Sequence, residues 1–189
     1  VTSSVSPISQ YIPSSEAVLI ESLDGLNPGT ITVNESDKTT NGSENLFGRR
    51  SLLAKDIRIN LNAINADGTT QLLDGALATF FDGHATTVDR NDARKMNGSA
   101  ESIGFTRDGN NLSIERRKNV NSNDTCFVYL AQMKRQTYRM EIIANNMSSI
   151  GLIAVVKDNY SATTNNLPVS LDGTTTFDFT VNNDAGSWA

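Results

Sequence analysis

The sequence predicts an all-β fold, specifically an antiparallel two-sheet β-sandwich, jelly-roll-like or immunoglobulin-like, with about eight to ten strands. Asp-Gly and Asn-Gly pairs punctuate the chain, and such pairs supply the positive φ angles of tight hairpin turns. Short runs between them alternate apolar and polar residues, whereas no apolar stripe follows the helical period over the length of a helix. These observations together favour short strands joined by turns.

The clearest strand lies at 56–64. Its odd-numbered positions from Ile57 to Ala63 are apolar, and its even-numbered positions from Arg58 to Asn62 are polar. Because successive side chains of a strand point to opposite faces, this pattern predicts one buried face. Weaker versions of the pattern predict further strands at 17–23, 76–81, 112–116, 125–131, 138–144, 151–158 and 176–181.

Two local expectations concern the segments between strands. Each Asp-Gly pair, including Asp74-Gly75 and Asp108-Gly109, is expected in a turn. A short helical turn is expected around 89–96.

The chain is expected to form one domain. Its 189 residues are enough for a sizeable core, and no shift in composition divides 14–189 into parts. Residues 1–13 are rich in serine and contain two prolines, which indicates a linker or an edge strand. The sequence starts at Val1 without a signal-peptide pattern, so we expect a piece of a longer product.

Composition excludes several classes of function. The chain has 16 Lys and Arg against 21 Asp and Glu, a net charge of −5, which argues against nucleic acid as a partner. Its longest apolar run, 152–156, is far shorter than the roughly 20 residues of a membrane-spanning helix. The single cysteine, Cys126, cannot form an intramolecular disulfide, and with the single histidine, His84, it cannot build a Cys/His zinc site.

No constellation of residues indicates catalysis. His84 is the only imidazole for a Ser-His-Asp triad, and no Gly-x-Ser-x-Gly motif presents a serine, so His84 is interpreted as an exposed loop residue. Cys126 begins an apolar run and is interpreted as a buried, inert thiol. The sequence therefore predicts a protein that is not an enzyme and has no catalytic residues or cofactor, apart from the metal considered next.

Two groups of residues are candidate binding sites. Asp82, Asp89 and Asp92 place carboxylates close together in sequence, and carboxylate oxygens are the ligands that calcium prefers. Tyr160 and Trp188 are the aromatic residues expected in loops, where exposed rings can stack on sugars.

The segment from Ala76 to Met96 reads ALATFFDGHATTVDRNDARKM and resembles a V/F-D-x-x-x-D-A-x-K-L pattern of large surface and secreted proteins of the Bacteroidota. Further matches follow in the same order. Gln136 to Ile143 resembles a Q-x-Y-x-L/M-E-I strand, and Phe177 to Thr180 resembles a Y-x-F-T ending. From Asp56 to Ala189 the chain resembles the β-sandwich module upstream of the type IX secretion sorting domain, as in gliding-motility adhesin-like proteins.

The resemblance implies a secreted or outer cell-surface protein, exported by type IX secretion, in which this module is structural or adhesive and supplies no catalytic residues. Its implied partners are other domains of the same long polypeptide, the type IX secretion machinery and surface glycans. A final strand usually ends the family's sandwich, and this chain is expected to lack it.

Two other functions remain open at this point. The chain could be a carbohydrate-binding module, with or without calcium. It could instead be an accessory domain of a larger secreted enzyme.

Overall fold

The structure is a computed structural model that describes residues 30–37, 54–96, 98, 100–148, 151–158 and 166–184. Contacts divide the chain into two units, 1–52 and 53–189. The described part of the first unit contains one 3-10 turn, Glu35–Asp37, in which Asp37 Oδ2 accepts the Asn34 N–H at 2.8 Å. The predicted linker at 1–13, the predicted strand at 17–23, and both Tyr160 and Trp188 lie outside the described residues.

The second unit is all-β, as predicted, and no α-helix occurs among its described residues. No described helix is long and apolar enough to cross a membrane. The strands within the described residues are β1 Lys55–Ile64, β2 Thr70–Phe80, β3 Ala93–Arg94, β4 Ser102–Arg107, β5 Asn110–Arg117, β6 Phe127–Ala131, β7 Thr137–Asn145, β8 Ala154–Val156, β9 Leu167–Val169 and β10 Gly173–Thr180.

The large sheet has the strand order β10-β7-β1-β2-β5-β4-β6, with β3 paired to β5, and a small second sheet joins β8 to β9. Within the described strands every pairing is antiparallel except that of β2 with β5, which is parallel. The long segment 81–109 separates these two strands, which gives the chain the crossover length that a parallel pair needs. The large sheet is therefore mixed, and the predicted antiparallel two-sheet sandwich is not confirmed.

The large sheet is curled like a half-barrel. Four strands lie between β6 and β7, so in a flat sheet these two would be about 24 Å apart. The connection 132–136 could cover at most about 20 Å even if fully extended. Curling brings the two strands together, and it also allows β1 to contact β4.

A partly buried hydrogen-bond network closes the β6–β7 connection. The Tyr138 hydroxyl accepts the Lys134 backbone N–H at 2.8 Å and donates to the Lys134 carbonyl at 3.0 Å. The buried Glu101 carboxylate, just before β4, accepts hydrogen bonds from Lys134 Nζ at 3.0 Å and Gln136 Nε2 at 3.2 Å. Glu101 next to β4 and Tyr138 of β7 therefore meet across the curl, where the Tyr138 hydroxyl lies 3.4 Å from Glu101 Oε1.

One face of the large sheet forms the core. The buried residues of β7 alternate with less buried ones, as do those of β1 over most of its length. Val156 of β8 and Val169 of β9 pack against this core from the small sheet. The buried apolar set is Ile59, Leu61, Ala63, Ala76, Ala78, Phe80, Ile103, Phe105, Leu112, Tyr138, Met140, Ile142, Ala144, Met147 and Val181.

Several local predictions are confirmed. Strand β1 and its apolar face occur as predicted, and β7 and β10 show the predicted alternation. The turn at Asp108-Gly109 joins β4 to β5, with φ angles of 50° and 72°.

Other local predictions are wrong. Asp74-Gly75 lies within β2, where these residues pair with Leu61 and Asn60 of β1. The segment expected as a helical turn contains the short strand β3, because Ala93 and Arg94 pair with β5. Strand β4 is not predicted, although Ile103 and Phe105 alternate with small or polar residues. Gly104 lies between them, and a glycine weakens a strand signal.

Candidate functional site: the loop after strand β2

The loop 81–92 leaves β2 and contains His84 and all three candidate calcium ligands. Its first turn is held by two backbone hydrogen bonds, from the Phe81 N–H to the Arg117 carbonyl at 3.0 Å and from the His84 N–H to the Phe81 carbonyl at 2.9 Å. Further along, the Asp108 carboxylate accepts the Val88 N–H at 2.9 Å. Long ordered loops on a rigid scaffold are common places for binding residues, so this loop is the candidate site.

Asp92 fastens the end of the loop to the sheet. Its Oδ1 accepts the Arg116 N–H at 2.7 Å, and its Oδ2 accepts the Asp89 N–H at 2.8 Å and Arg107 Nη2 at 3.0 Å. The side chain is almost completely buried. Both oxygens are therefore engaged by donors of the protein itself.

The other two candidate ligands are arranged differently. The Asp89 carboxylate accepts the backbone N–H of Asn91 at 2.8 Å and its Nδ2 at 3.0 Å, and the backbone hydrogen bond is the main cause of the lowered pKa of Asp89. Asp82 is exposed, and its carboxylate accepts no hydrogen bond from the described residues. Among the described residues, no group of three or more acidic, His or Cys side chains is arranged to hold a metal ion. The calcium hypothesis stays a prediction.

Behind the loop lies a charge cluster formed by Asp92, Arg107, Glu115 and Arg117. The Glu115 side chain is 1% exposed, and its Oε1 lies 3.4 Å from Nη1 of both arginines. Arg107 also donates to the Thr87 carbonyl at 3.3 Å, and Arg117 donates to the Thr125 carbonyl at 3.2 Å. The charge cluster therefore ties two loops to strands β4 and β5.

Hydrogen bonding within the charge cluster is incomplete. Glu115 Oε2 and Arg107 Nε are buried and have no hydrogen-bond partner among the described residues. Burial raises the pKa of Glu115, although the two arginines act in the opposite direction. The ionised carboxylate is therefore held in an environment that favours its neutral form.

Cys126 borders the charge cluster. Its Sγ accepts a hydrogen bond from Arg117 Nη1 at 3.3 Å, and the residue packs against the core. Burial raises the pKa of the thiol to about 11, which outweighs the opposing effect of Arg117. A thiol that stays protonated at neutral pH is a poor nucleophile, which agrees with the interpretation of Cys126 as inert.

The exposed part of the loop presents two rings. Phe81 is 62% exposed, and its ring makes an edge-to-face contact with His84, with a centroid distance of 5.5 Å and an interplanar angle of 72°. Partial burial lowers the pKa of His84, and the charge of Arg116 lowers it further. His84 is partly buried against Phe81 rather than fully exposed, which corrects its interpretation from the sequence.

Comparisons with protein-family models, curated proteins and solved structures find no match. The function of the site is therefore inferred from its residues and their geometry alone.

Phe81 is the site residue that the sequence reasoning missed. A signal for it does exist in the pattern, because Phe80 belongs to the buried face of β2 and the next residue in a strand points away from that face. Two adjacent phenylalanines at the end of a strand thus place one ring in the core and one outside. The predicted pair Tyr160 and Trp188 cannot be compared with it, since both lie outside the described residues.

Proposed function

We propose that this chain is a non-catalytic structural and adhesive module of a secreted or cell-surface protein that is exported by type IX secretion. The observation that carries the proposal is how the charged side chains of the sheet are used. Asp92 joins the loop 81–92 to β4 and β5, and Glu101 joins β4 to the β6–β7 connection. Asp74 joins β2 to Lys95 and to the Ile103 N–H. In these contacts the charged side chains join strands and loops of the fold to one another, as expected of a structural module.

The same scaffold use extends to the outer face of the sheet. Arg139 of β7 binds Asp178 of β10 through two hydrogen bonds, at 2.8 and 2.9 Å. Asn60 of β1 donates to Glu141 of β7 at 2.7 Å. Polar side chains on this face thus bind neighbouring strands to one another, which suits a module whose role is to hold a shape.

We propose further that the fold is a variant of the two-sheet sandwich, with the curled sheet and the β8–β9 sheet as its layers. Two observations support this assignment. Val156 and Val169 pack from the small sheet onto the core of the large one. The bonds of the Tyr138 hydroxyl to the backbone four residues upstream resemble the tyrosine corner of sandwich domains.

Two measurements on the purified chain test the function. Incubation with chromogenic glycan, ester and peptide substrates should give no turnover, and turnover abolished by His84→Ala would contradict the non-catalytic assignment. Beads coated with the folded chain should attach to bacterial surfaces more strongly than beads coated with the heat-unfolded chain. Equal attachment of the two would contradict the adhesive role.

Export is tested separately with the full-length protein in a Bacteroidota host. The protein should reach the outer surface or the medium of a strain with a working type IX system. It should remain inside a strain in which that system is deleted. Equal export by both strains would contradict the proposed route.

A further inference from the structure

The ring of Phe81 lies against the backbone of its own loop. A Cβ added at Gly83 would clash with Cε1 and lie 3.0 Å from Cδ1 of Phe81, so the ring lies directly against the glycine. The edge-to-face contact with His84 holds it from another direction. Much of the ring nevertheless remains open to a ligand, because Phe81 is 62% exposed.

The backbone beneath the ring is also fixed. The hydrogen bonds from the Phe81 N–H to Arg117 and from the His84 N–H back to Phe81 define the turn. Arg107 holds the Thr87 carbonyl and Asp92 further along the loop. A surface that is ordered before binding loses little conformational entropy when a ligand arrives.

Polar groups accompany the exposed ring. Asp82 follows Phe81 directly and has an exposed carboxylate to which no described residue donates. The imidazole of His84 makes an edge-to-face contact with the ring of Phe81 and lies beside it. The ring nitrogens of an imidazole can form hydrogen bonds with hydroxyl groups, and a carboxylate offers acceptors only.

We propose that Phe81, Asp82 and His84 form a binding face for a neutral pyranose sugar of an oligosaccharide. The apolar C–H face of a pyranose stacks on the open ring of Phe81, and hydroxyl groups at its rim bind Asp82 and His84. Anionic sugars are disfavoured, because the exposed carboxylate of Asp82 follows Phe81 directly and the chain carries a net charge of −5. The exposed Arg90 of the same loop offsets the charge of its neighbour Asp89 only. The proposal deepens the adhesive role and rests on it, since it names the chemistry of the adhesive contact.

The test measures binding of cellohexaose, mannohexaose and an anionic hyaluronan hexasaccharide to the whole chain by titration calorimetry. At least one neutral hexasaccharide should bind, and the anionic one should bind at least about tenfold more weakly. Phe81→Ala should weaken neutral binding by about tenfold or more, because stacking on the ring is lost. Phe127→Ala is the matched control, since Phe127 is 61% exposed on strand β6 and should leave binding unchanged.

Gly83→Ala tests the position of the ring rather than its presence. The added methyl group displaces the Phe81 ring, so binding should weaken while the aromatic residue remains. Far-ultraviolet circular dichroism and the melting temperature should match those of the unmodified chain for Phe81→Ala and Phe127→Ala.

Two results would overturn the sugar-binding face. One is that neither neutral hexasaccharide binds, and the other is that Phe81→Ala and Phe127→Ala have equal effects. Coated beads that still attach to bacteria in the Phe81→Ala variant would leave the adhesive module standing and remove only this face. Beads that fail to attach with the unmodified chain would instead contradict the proposed function.

Discussion

The hydroxyl of Tyr138 binds both backbone groups of Lys134, accepting its N–H at 2.8 Å and donating to its carbonyl at 3.0 Å. Tyr138 is fully buried, and its ring stacks on Phe179 of β10 with a centroid distance of 5.5 Å. One side chain therefore fixes the β6–β7 connection and joins it to the edge of the sheet. Tyrosine is the standard residue whose six-membered aromatic ring carries a hydroxyl group, so it can both stack on Phe179 and bind the Lys134 backbone.

Replacing Tyr138 with phenylalanine should lower the free energy of unfolding by about 1–3 kcal/mol, because two partly buried hydrogen bonds to the Lys134 backbone are lost. Urea denaturation measures the difference. Tyr129→Phe is the control, since the described residues give the Tyr129 hydroxyl no hydrogen bond, and this change should cost less than about 0.5 kcal/mol. Equal losses in the two variants would contradict a special role for the Tyr138 hydroxyl.

Gly104 of β4 lies beneath the ring of Tyr129 on β6. A Cβ added at Gly104 would lie 2.5 Å from Cε1 of that ring and 2.8 Å from the Leu112 carbonyl oxygen. Because the Leu112 contact involves backbone, Gly104→Ala should destabilise the fold by about 1–3 kcal/mol. Thermal unfolding of Gly98→Ala provides the comparison, since the nearest atom there is 3.9 Å away and little change is expected.

Glu115 and Glu101 are both buried, yet their pKa values move in opposite directions. Burial raises the pKa of Glu115. Burial also acts to raise the pKa of Glu101, but hydrogen bonds from its own backbone and from Lys134 prevail and lower it. Glu115 thus contributes stability that is complete in acid and is lost as the pH rises through its folded pKa. Glu101 contributes stability that is lost as the pH falls through its folded pKa.

The variants Glu115→Gln and Glu101→Gln should therefore show opposite pH dependences. Between about pH 4 and pH 7, Glu115→Gln should gain stability relative to the unmodified chain as the pH rises, whereas Glu101→Gln should lose it. Urea denaturation at a series of pH values gives both slopes. Slopes of the same sign would contradict the assigned environments of the two carboxylates.

Asp92 is expected to stabilise the loop 81–92 without a metal ion. Asp92→Asn should cost about 1.5–3 kcal/mol, since a buried carboxylate that binds two backbone N–H groups and Arg107 is replaced by a weaker acceptor. The cost should be the same in a chelator and in millimolar calcium, and Asp82→Asn should cost little in either. A melting temperature that calcium raises only when Asp92 is intact would favour the calcium hypothesis instead.

The sequence predicts a strand well when one face of that strand is buried along most of its length. β1 and β7 are examples, because burial on one side forces the alternation that the sequence displays. Asp74-Gly75 shows the limit of local rules. The Asp74 carboxylate binds Lys95 and the Ile103 N–H, which are distant in sequence, and the pair lies in a strand although its local preference is for a turn.

The candidate site can be predicted from the sequence only in part. The sequence indicates the loop, since Asp82, Asp89 and Asp92 are close together in it. It does not indicate that Asp92 binds Arg107 and the backbone of Arg116, because those contacts depend on the parallel pairing of β2 with β5. The position of Phe81 depends on where β2 ends, which a turn signal locates only approximately.

The pairing of β1 with β7 has a consequence for how the chain folds. The Asn145 Nδ2 hydrogen bond to Asp56 at 2.9 Å joins residues that are 89 positions apart. The β7–β10 side of the sheet therefore joins β1 only after a very large loop has closed, and such non-local topologies fold on timescales of roughly milliseconds to seconds. Until then the free edge of β1 and the apolar face of the β1–β2 hairpin remain uncovered, so a chain interrupted before β7 would expose them and aggregate rather than fold.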